Sequence, residues 1–297
     1  MSVYRTPEEC FRDLPAYPFR PNYLEHGGLR MHYLDEGTGD PVLLLHGEPT
    51  WSFLYRKAIP PIAAVARLVA PDYFGFGRSD KTVERDWYTY DRHYASIERL
   101  VEELDLRALT VVVHDWGGPI GLRLAVERPE RVARLVITNT GLYAGRPPSD
   151  EWLRFRAFVR RVGTELRPGQ LVQITCVTEL SDEVVAGYDA PYPVPEAKTA
   201  LVMFPELVPT EPEHPAAATM LRVREALRGW RKPALVVFSD SDPIFSPRVA
   251  ERFAELIPGA ELGEPLPGAG HFLQEDKGEE LGARIAGWLS SARPVSA

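Results

Sequence analysis

The sequence predicts an α/β fold: a mostly parallel sheet flanked by helices and carrying a helical insertion. Two observations predict the sheet and its helices. Short apolar runs rich in β-branched residues recur along the 297 residues, and amphipathic helical patterns alternate with them. A third observation predicts the insertion, because this alternation stops between about residues 143 and 228.

The first predicted strands are antiparallel. Residues 29–35 and 41–45 form apolar runs with too short a link for a helix, so the sheet is expected to open with antiparallel strands. Helix-length segments separate most of the later runs, as parallel strands require. These later strands are predicted at residues 67–70, 108–113, 135–138, 233–238 and 262–266.

Amphipathic patterns predict the helices that cover the sheet. Within residues 91–104, Tyr94, Ile97 and Val101 recur at i, i+3 and i+7 and form one apolar helical face. Further helical patterns are predicted at residues 117–126, 249–257 and 281–289.

The interval 143–228 has a different character. Helix-like pieces are joined by proline-rich links, such as DAPYPVP from Asp189 and VPTEPEHP from Val208, and no strand pattern is present. The helix-like pieces cover residues 151–161, 196–204 and 216–227. We therefore expect a core built from residues 1–142 and 229–297, with residues 143–228 as a helical cap over the sheet.

Composition excludes several classes of function. The net charge of −8 and the scattered arginines argue against nucleic-acid binding, which needs clustered cations. No apolar run approaches the ~20 residues of a membrane span, and the start MSVYRTPEEC has no apolar signal region. Cys10 and Cys176 have no metal or redox spacing, which predicts two free thiols, no bound metal and a cytoplasmic location.

A carboxylate stands at the end of a predicted central strand. In the stretch VVVHDWGG, Asp115 follows three buried valines, and Gly117 and Gly118 then allow a sharp turn into a helix. Open α/β sheets bind ligands at this edge, and the pattern resembles the nucleophile elbow of α/β-hydrolases with Asp115 in the place of serine. The alternative is that Asp115 only caps the helix.

Two further elements favour the catalytic interpretation. Asp242, in FSDSDPIF, stands at the exit of a later strand, and His271, in PGAGHFLQED, lies on a glycine-rich loop before the last helix. The order Asp115, Asp242, His271 is the nucleophile–acid–histidine order of α/β-hydrolases. Asp240 competes for the acid role, but its side chain should lie two residues further back along the strand.

The chemistry follows from the aspartate. A carboxylate can displace a leaving group from saturated carbon, which gives an alkyl ester of Asp115 that water activated by His271 can hydrolyse. The loop LHGEPTWS follows an early strand and is expected to supply an oxyanion hole from the backbone N–H groups of Glu48 and Trp116. The indole of Trp116 is a donor-only group directly beside the nucleophile, which suits a departing halide.

Four segments together resemble the haloalkane dehalogenase family. They are HGEPTWSFLYR from His46, PDYFGFGRSD from Pro71, HDWGG from His114 and GHFLQE from Gly270, and the cap adds DAPYP from Asp189. The similarity covers nearly the whole chain and is greatest to the branch with Glu in the HGEP loop and an Asp–His–Asp triad. It implies an α/β-hydrolase fold with a mostly parallel, eight-stranded sheet, and hydrolysis of carbon–halogen bonds to alcohol, halide and a proton. It also implies small apolar halogenated substrates, with no cofactor and no metal.

The resemblance also implies a second halide-binding indole from the cap. Part of the family carries it where this chain has Cys176, and a thiol cannot replace an indole N–H. Other relatives place it near Trp152, which makes Trp152 the candidate. If the helix around Trp152 is shifted by one turn, Phe155 or Phe158 faces the pocket instead.

Three other functions remain open. An epoxide hydrolase would use the same Asp115 with two hydroxyl donors, for which Tyr143, Tyr188 and Tyr192 are candidates. A fluoroacetate-type enzyme would prefer arginines beside the nucleophile, and Trp116 argues against it. A non-catalytic ligand-binding protein often lacks one triad residue, whereas this chain retains all three. The expected assembly is a monomer or a weak homo-oligomer that contacts neither nucleic acid nor membrane.

Overall fold

A computed structural model describes residues 2–291 of the chain; the last six residues of the predicted 229–297 core segment lie outside the described residues. The strands form a large sheet and a small two-stranded one. They are β1 (Val3–Tyr4), β2 (Asn22–His26), β3 (Leu29–Glu36), β4 (Pro41–Leu45), β5 (Arg67–Pro71), β6 (Lys81–Thr82), β7 (Leu109–His114), β8 (Val132–Thr138), β9 (Ala234–Val236) and β10 (Ala260–Leu262).

The large sheet has eight strands in the order β10-β9-β8-β7-β4-β5-β3-β2. Its neighbours from β10 to β5 are parallel, and β3 pairs antiparallel with both β5 and β2. The predicted fold class, a mostly parallel eight-stranded sheet, is therefore confirmed. The sheet opens with antiparallel strands as expected, but the partners of β3 are β5 and β2, and β2 was missed because its residues are only half-buried.

The last strand differs from its prediction. Residues 262–266 were expected to be a strand, whereas β10 ends at Leu262 and only one further bridge joins Ser239 to Leu266. The physical reason is the sequence GEPLP after Leu262, because proline has no N–H to give to a ladder.

The α-helices alternate with the strands of the core and also form the insertion. They are α1 (Ile59–Ala63), α2 (Tyr90–Glu103), α3 (Gly117–Glu127), α4 (Asp150–Val162), α5 (Pro168–Thr175), α6 (Asp182–Asp189), α7 (Thr199–Met203), α8 (Ala217–Leu227), α9 (Pro247–Leu256) and α10 (Leu273–Ser291). The last helix was predicted only from residue 281, and it begins eight residues earlier, with a kink at Lys277. Its first turn therefore follows directly after His271.

Side chains of the central strands alternate between two apolar layers. In β4, Leu43 and Leu45 pack in one layer, and Val42 and Leu44 pack in the other. This alternation is what a sheet covered on both faces requires. Burial on both faces leaves the carboxyl ends of β4, β7, β8 and β9 as the polar edge where a site can form.

The insertion lies between β8 and β9 and consists of α4 to α8 in the described chain. Serine residues cap two of these helices: Ser149 Oγ accepts a hydrogen bond from Trp152 N, and Ser181 Oγ accepts one from Val184 N. The insertion packs against the loop after β4, where Trp51 Nε1 donates to the Gly187 carbonyl at 3.2 Å. No helix within residues 2–291 is both long and apolar enough to span a membrane.

Candidate active site

Asp115 occupies the turn between β7 and α3 and has a left-handed backbone with φ +48°. This region is uncommon for a residue other than glycine, and surrounding contacts must hold it. Asp115 N donates to the Asn139 carbonyl at 2.9 Å, and Thr140 Oγ1 donates to the Asp115 carbonyl at 2.5 Å. A Cβ on Gly117 would lie 2.2 Å from the Leu45 carbonyl oxygen, so the tight elbow requires glycine there. Asp115 therefore stands in an elbow and does not merely cap α3.

The carboxylate of Asp115 points toward the loop after β4. Glu48 N donates to its Oδ1 at 2.9 Å, and the Trp116 N–H also bonds to the carboxylate. Burial raises the pKa of Asp115, while the positive imidazole of His271 and these two N–H groups act in the opposite direction. The two N–H groups are the predicted oxyanion-hole donors, so one oxygen of Asp115 already occupies that position.

His271 lies between the two predicted aspartates. Its Nδ1 is 2.9 Å from Asp242 Oδ2, and its Nε2 is 3.8 Å from Asp115 Oδ2. Burial alone would lower the pKa of His271, but the charge and hydrogen bond of Asp242, with the charge of Asp115, raise it. Burial would raise the pKa of Asp242, yet His271 and the N–H groups of Ile244 and Phe245 hold it below its ordinary value. The structure thus brings together an ionised acid, an imidazole and the candidate nucleophile.

The competing acid, Asp240, faces away from the site. It is exposed, and it accepts hydrogen bonds from Gly268 N at 3.0 Å and from Ser241 Oγ at 2.8 Å. Asp242 is the carboxylate that contacts the imidazole.

Several residues that hold the histidine loop were not singled out from the sequence. His114 Nε2 lies 2.9 Å from the His271 carbonyl, and Asn139 Nδ2 donates to the same oxygen at 3.1 Å. Burial lowers the pKa of His114 to about 3, so this imidazole is neutral and donates. His271 N donates to the Thr175 carbonyl at 2.9 Å, which ties the loop to α5 of the insertion. The histidine in the HDWGG motif was a signal that could have revealed this contact.

Two of the motifs meet in a buried ion pair below the histidine loop. Arg56, from the loop after β4, binds both carboxylate oxygens of Glu275 in the first turn of α10, and Lys57 Nζ lies 3.0 Å from Glu275 Oε2. A buried ion pair of this kind adds little net stability, because both charges lose their hydration. Loss of either partner would leave the other as an uncompensated buried charge, so the two residues are held together. The pair joins the oxyanion-hole loop to the helix that follows His271.

A cavity of about 650 Å³ lies in front of Asp115, between the sheet edge and the insertion. Asp115 and Trp116 line it from the core, and Tyr143 and Trp152 line it from residues after β8. Among residues 2–291, no group of three or more His, Cys, Asp or Glu is arranged to hold a metal ion.

The residues that line the cavity distinguish between the candidates for halide binding. Trp116 is 6% exposed and packs edge-on against Phe204 at 5.3 Å, and its Nε1 has no hydrogen-bond partner in the described chain. Trp152 is half-buried and lines the same cavity, with Arg156 5.1 Å from its ring. Both indoles therefore line the same cavity.

The alternatives to Trp152 lie elsewhere. Phe155 packs against the core cluster and Phe158 is exposed; neither lines the cavity. Cys176 follows α5, where burial raises the pKa of its thiol, and it too is outside the residues that line the cavity.

The cavity lacks the second tyrosine that an epoxide hydrolase needs, and none of the described arginines that line it forms an ion pair with Asp115. Tyr143 lines it, but Tyr188 Oη donates to Glu275 at 2.5 Å, and Tyr192 is buried elsewhere. An epoxide hydrolase would therefore have one tyrosine where it needs two. No arginine of residues 2–291 lies within ion-pair distance of Asp115, which a fluoroacetate-type site would need.

Comparison with known proteins agrees with this geometry. The family model of the α/β hydrolase fold matches residues 40–165. The haloalkane dehalogenase of Mycolicibacterium paratuberculosis is 44% identical over 299 residues, which covers 97% of this chain and 98% of the relative. The haloalkane dehalogenase of Psychrobacter cryohalolentis is 42% identical over 294 residues, which covers 95% and 96%.

Comparison with solved structures finds the same kind of enzyme. The tetrameric haloalkane dehalogenase DpaA from Paraglaciecola agarilytica NO2 superposes with a TM-score of 0.89 and 36% identity, covering 98% of this chain and 99% of that one. DatA from Agrobacterium tumefaciens C58, also a haloalkane dehalogenase, superposes with a TM-score of 0.82 and 25% identity. Because the similarity extends over nearly the full length at both levels, the chain belongs to the haloalkane dehalogenase family of α/β hydrolases, which hydrolyse carbon–halogen bonds.

Proposed function

We propose that this enzyme dehalogenates haloalkanes through an alkyl ester of Asp115 that water activated by His271 then hydrolyses. The observation that carries the proposal is the position of the Asp115 carboxylate, at the base of an apolar cavity and 3.8 Å from His271 Nε2. That distance exceeds a hydrogen bond, so Nε2 is not bonded to Asp115 and can accept a proton from a water molecule beside the two groups.

In the first step, Asp115 Oδ2 attacks the carbon that bears the halogen. Oδ1 is engaged by Glu48 N, so Oδ2 has the more available lone pair. A carbon–oxygen bond forms as the carbon–halogen bond breaks, and the halide leaves with the bonding electron pair. The N–H groups of Trp116 and Trp152 are our candidates to bind that halide, because both indoles line the cavity and donate without accepting.

In the second step, water attacks the carboxyl carbon of the ester and gives a proton to His271 Nε2. The negative charge develops on Oδ1, against the N–H groups of Glu48 and Trp116. Collapse breaks the bond from the carboxyl carbon to the alkyl oxygen, and that oxygen takes the proton from His271 Nε2 and leaves as the alcohol. The carboxylic acid left on Asp115 then gives its proton to solvent, which restores the carboxylate and the neutral imidazole. Alkylation removes the charge of Asp115, one cause of the raised pKa of His271, so the imidazole is more readily neutral when it must act as a base.

The cap, the assembly and the location complete the proposal. Residues 143–228 act as the cap over a core of residues 1–142 and 229–297, which is supported by the helices found between β8 and β9. We expect a monomer or a weak homo-oligomer; a tetramer in light scattering, the assembly of the Paraglaciecola relative, would contradict this. Two free cysteines are consistent with a cytoplasmic location.

The proposal is tested by halide release from 1,2-dibromoethane and 1-bromobutane, with Asp115→Ala as the control. We expect release by the natural protein and none by the variant, with equal circular dichroism for both. Release that persists in Asp115→Ala would exclude Asp115 as the nucleophile. Hydrolysis of an epoxide such as styrene oxide by a protein inactive toward both bromides would favour the epoxide reaction instead.

A further inference from the structure

Four arginines line the active-site cavity: Arg146 on the loop after β8, Arg224 on α8, Arg228 directly after α8, and Arg252 on α9. Arg146, Arg228 and Arg252 are exposed and Arg224 is half-buried, whereas Asp115 and Trp116 at the base are largely buried. We name these four residues the arginine rim. They belong to separate segments of the chain and are not one face of a single helix.

The charge of this rim is only partly compensated. Arg224 and Arg228 share one carboxylate, that of Glu225, at 3.0 and 2.9 Å. Arg146 and Arg252 make no ion pair or hydrogen bond with any described residue. Asp115 is the one acidic residue among the described residues that line the cavity. A chain with a net charge of −8 thus has an electropositive opening to its active site.

One atom of the rim also lacks its usual partner. Arg224 Nη1 donates to the Ala144 carbonyl at 3.0 Å, which fixes the guanidinium, while its Nε is buried without a hydrogen bond in the described chain. A buried donor without a partner costs free energy unless a ligand or water binds it.

We propose that the arginine rim binds the anionic tail of the substrate, so that haloalkanes with a terminal carboxylate are a preferred substrate class. This inference rests on the proposed function. Displacement requires the halogenated carbon to reach Asp115 at the buried base, and the far end of an extended substrate then lies at the exposed rim. A guanidinium binds a carboxylate through two parallel hydrogen bonds, a geometry that a spherical halide cannot use.

The reaction of such a substrate is balanced by water alone. In 6-bromohexanoate, the bond from carbon 6 to bromine breaks as Asp115 adds, and hydrolysis of the ester gives 6-hydroxyhexanoate, bromide and one proton. The carboxylate at the rim takes no part in bond making. The carboxylate contributes to binding. It also increases the rate at which the substrate associates with the enzyme, because an electropositive opening attracts an anion.

The experiment compares substrates that differ only in the charge of the tail. We would measure kcat/KM for 6-bromohexanoate, 8-bromooctanoate and 10-bromodecanoate, each against the bromoalcohol of equal length. The variant is the double substitution Arg146→Gln and Arg252→Gln. The matched control is Arg248→Gln, one turn from Arg252 on α9, exposed and outside the cavity lining. A second variant, the double substitution Arg146→Lys and Arg252→Lys, keeps the charge.

We expect the natural enzyme to prefer the acid over the alcohol for at least one chain length. The double glutamine variant should reduce that ratio about fivefold, the size expected for two partly exposed ion pairs. The lysine variant should retain most of the ratio, and Arg248→Gln should leave it unchanged.

The results that overturn the inference differ from those that overturn the function. An acid-to-alcohol ratio at or below one for all three lengths, or an equal ratio in the double variant, overturns the arginine rim while alcohol turnover still supports the dehalogenase. A change in inhibition by added bromide without a change in the ratio means that the rim binds product, which also contradicts the inference. Failure to release bromide from the bromoalcohols would overturn the proposed function itself.

Discussion

The two sides of the active-site cavity are held in different ways. On the sheet side, Asp115 and His271 are bonded through both side chain and backbone, and Asp242 is fixed by His271 and Ile244 N. On the insertion side, Trp152 is half-buried, and Arg146 has no partner among the described residues.

The difference indicates which part of the reaction each side serves. Stabilisation of a developing charge requires donors that are already fixed before the reaction begins, and the sheet side meets that requirement. Recognition of the substrate tolerates exposed and adjustable side chains, which the insertion supplies. We therefore expect substitutions on the sheet side to have much larger effects on turnover than substitutions on the insertion side.

The largest expected effect belongs to His271→Ala. Without the base, Asp115 can still be alkylated, but the ester is not hydrolysed, so turnover should fall by at least about four orders of magnitude. With 1-bromobutane, the variant should release a burst of about one bromide per enzyme and gain the mass of C4H8, measured by mass spectrometry.

The control for this trapping is the double variant Asp115→Ala and His271→Ala, which has no nucleophile and should gain no mass. A His271→Ala protein that turns over normally, or that never carries the alkyl group, would exclude the two-step mechanism.

Asp242→Asn has the second-largest expected effect, and it tests how the activity depends on pH. His271 acts as a base only when neutral, and Asp242 raises its pKa, so activity falls as the pH drops through that raised value. Removal of the charge lowers this pKa, so the acid limb of the kcat profile should move to lower pH. The plateau should fall by about three to four orders of magnitude, because the imidazole is no longer held in the correct tautomer.

The neighbouring residue offers a matched control. Asp240→Asn makes the same change two residues away at an exposed site, and it should leave the acid limb where it is. A shift caused by Asp240→Asn and absent in Asp242→Asn would reverse our assignment of the acid.

Gly47→Ala tests how tightly the oxyanion hole is built. A Cβ on Gly47 would lie 2.1 Å from Asp115 Oδ1, so either the carboxylate or the loop that carries Glu48 N must move. Loss of one such donor lowers kcat by about two to three orders of magnitude. Gly287→Ala is the control, since a Cβ there meets nothing within 4 Å, and it should change neither kcat nor Tm by much. If Gly47→Ala were as active as the natural enzyme, the sheet side of the cavity would not be rigid.

The sheet side was predictable from the sequence because its residues stand in short motifs fixed by strand geometry. Asp115 and Asp242 follow buried strands, so their side chains had to meet at the carboxyl edge of a parallel sheet. The contacts of Asn139 and Thr140 were not predictable, because they depend on how far β8 extends beyond its neighbour.

The insertion side was less predictable for a physical reason. Whether Trp152 or Phe155 faces the cavity depends on the rotation of α4. The two residues are three apart and lie on the same side of the helix, so its apolar pattern cannot separate them. The arginine rim was missed for a related reason, since Arg146, Arg224 and Arg252 are far apart in sequence and meet only in the folded chain.

The smallest effects compare the two indoles directly. Trp116→Phe removes a buried donor, and we expect the affinity for bromide, measured by fluorescence quenching, to fall about ten- to one-hundredfold, as for loss of a hydrogen bond to a charged group. Trp152→Phe removes a half-buried donor that water partly replaces, so the affinity should fall less than about fivefold.

Two control substitutions accompany the comparison of Trp116 with Trp152. Trp288→Phe on α10 and Phe155→Leu on α4 should leave bromide affinity unchanged, because neither residue lines the cavity. An effect of Phe155→Leu larger than that of Trp152→Phe would mean that the cap presents the other face of α4 in solution. If Trp152→Phe weakens bromide as much as Trp116→Phe does, the insertion side is as firmly organised as the sheet side. The contrast between chemistry fixed by the sheet and recognition adjusted by the insertion would then be wrong.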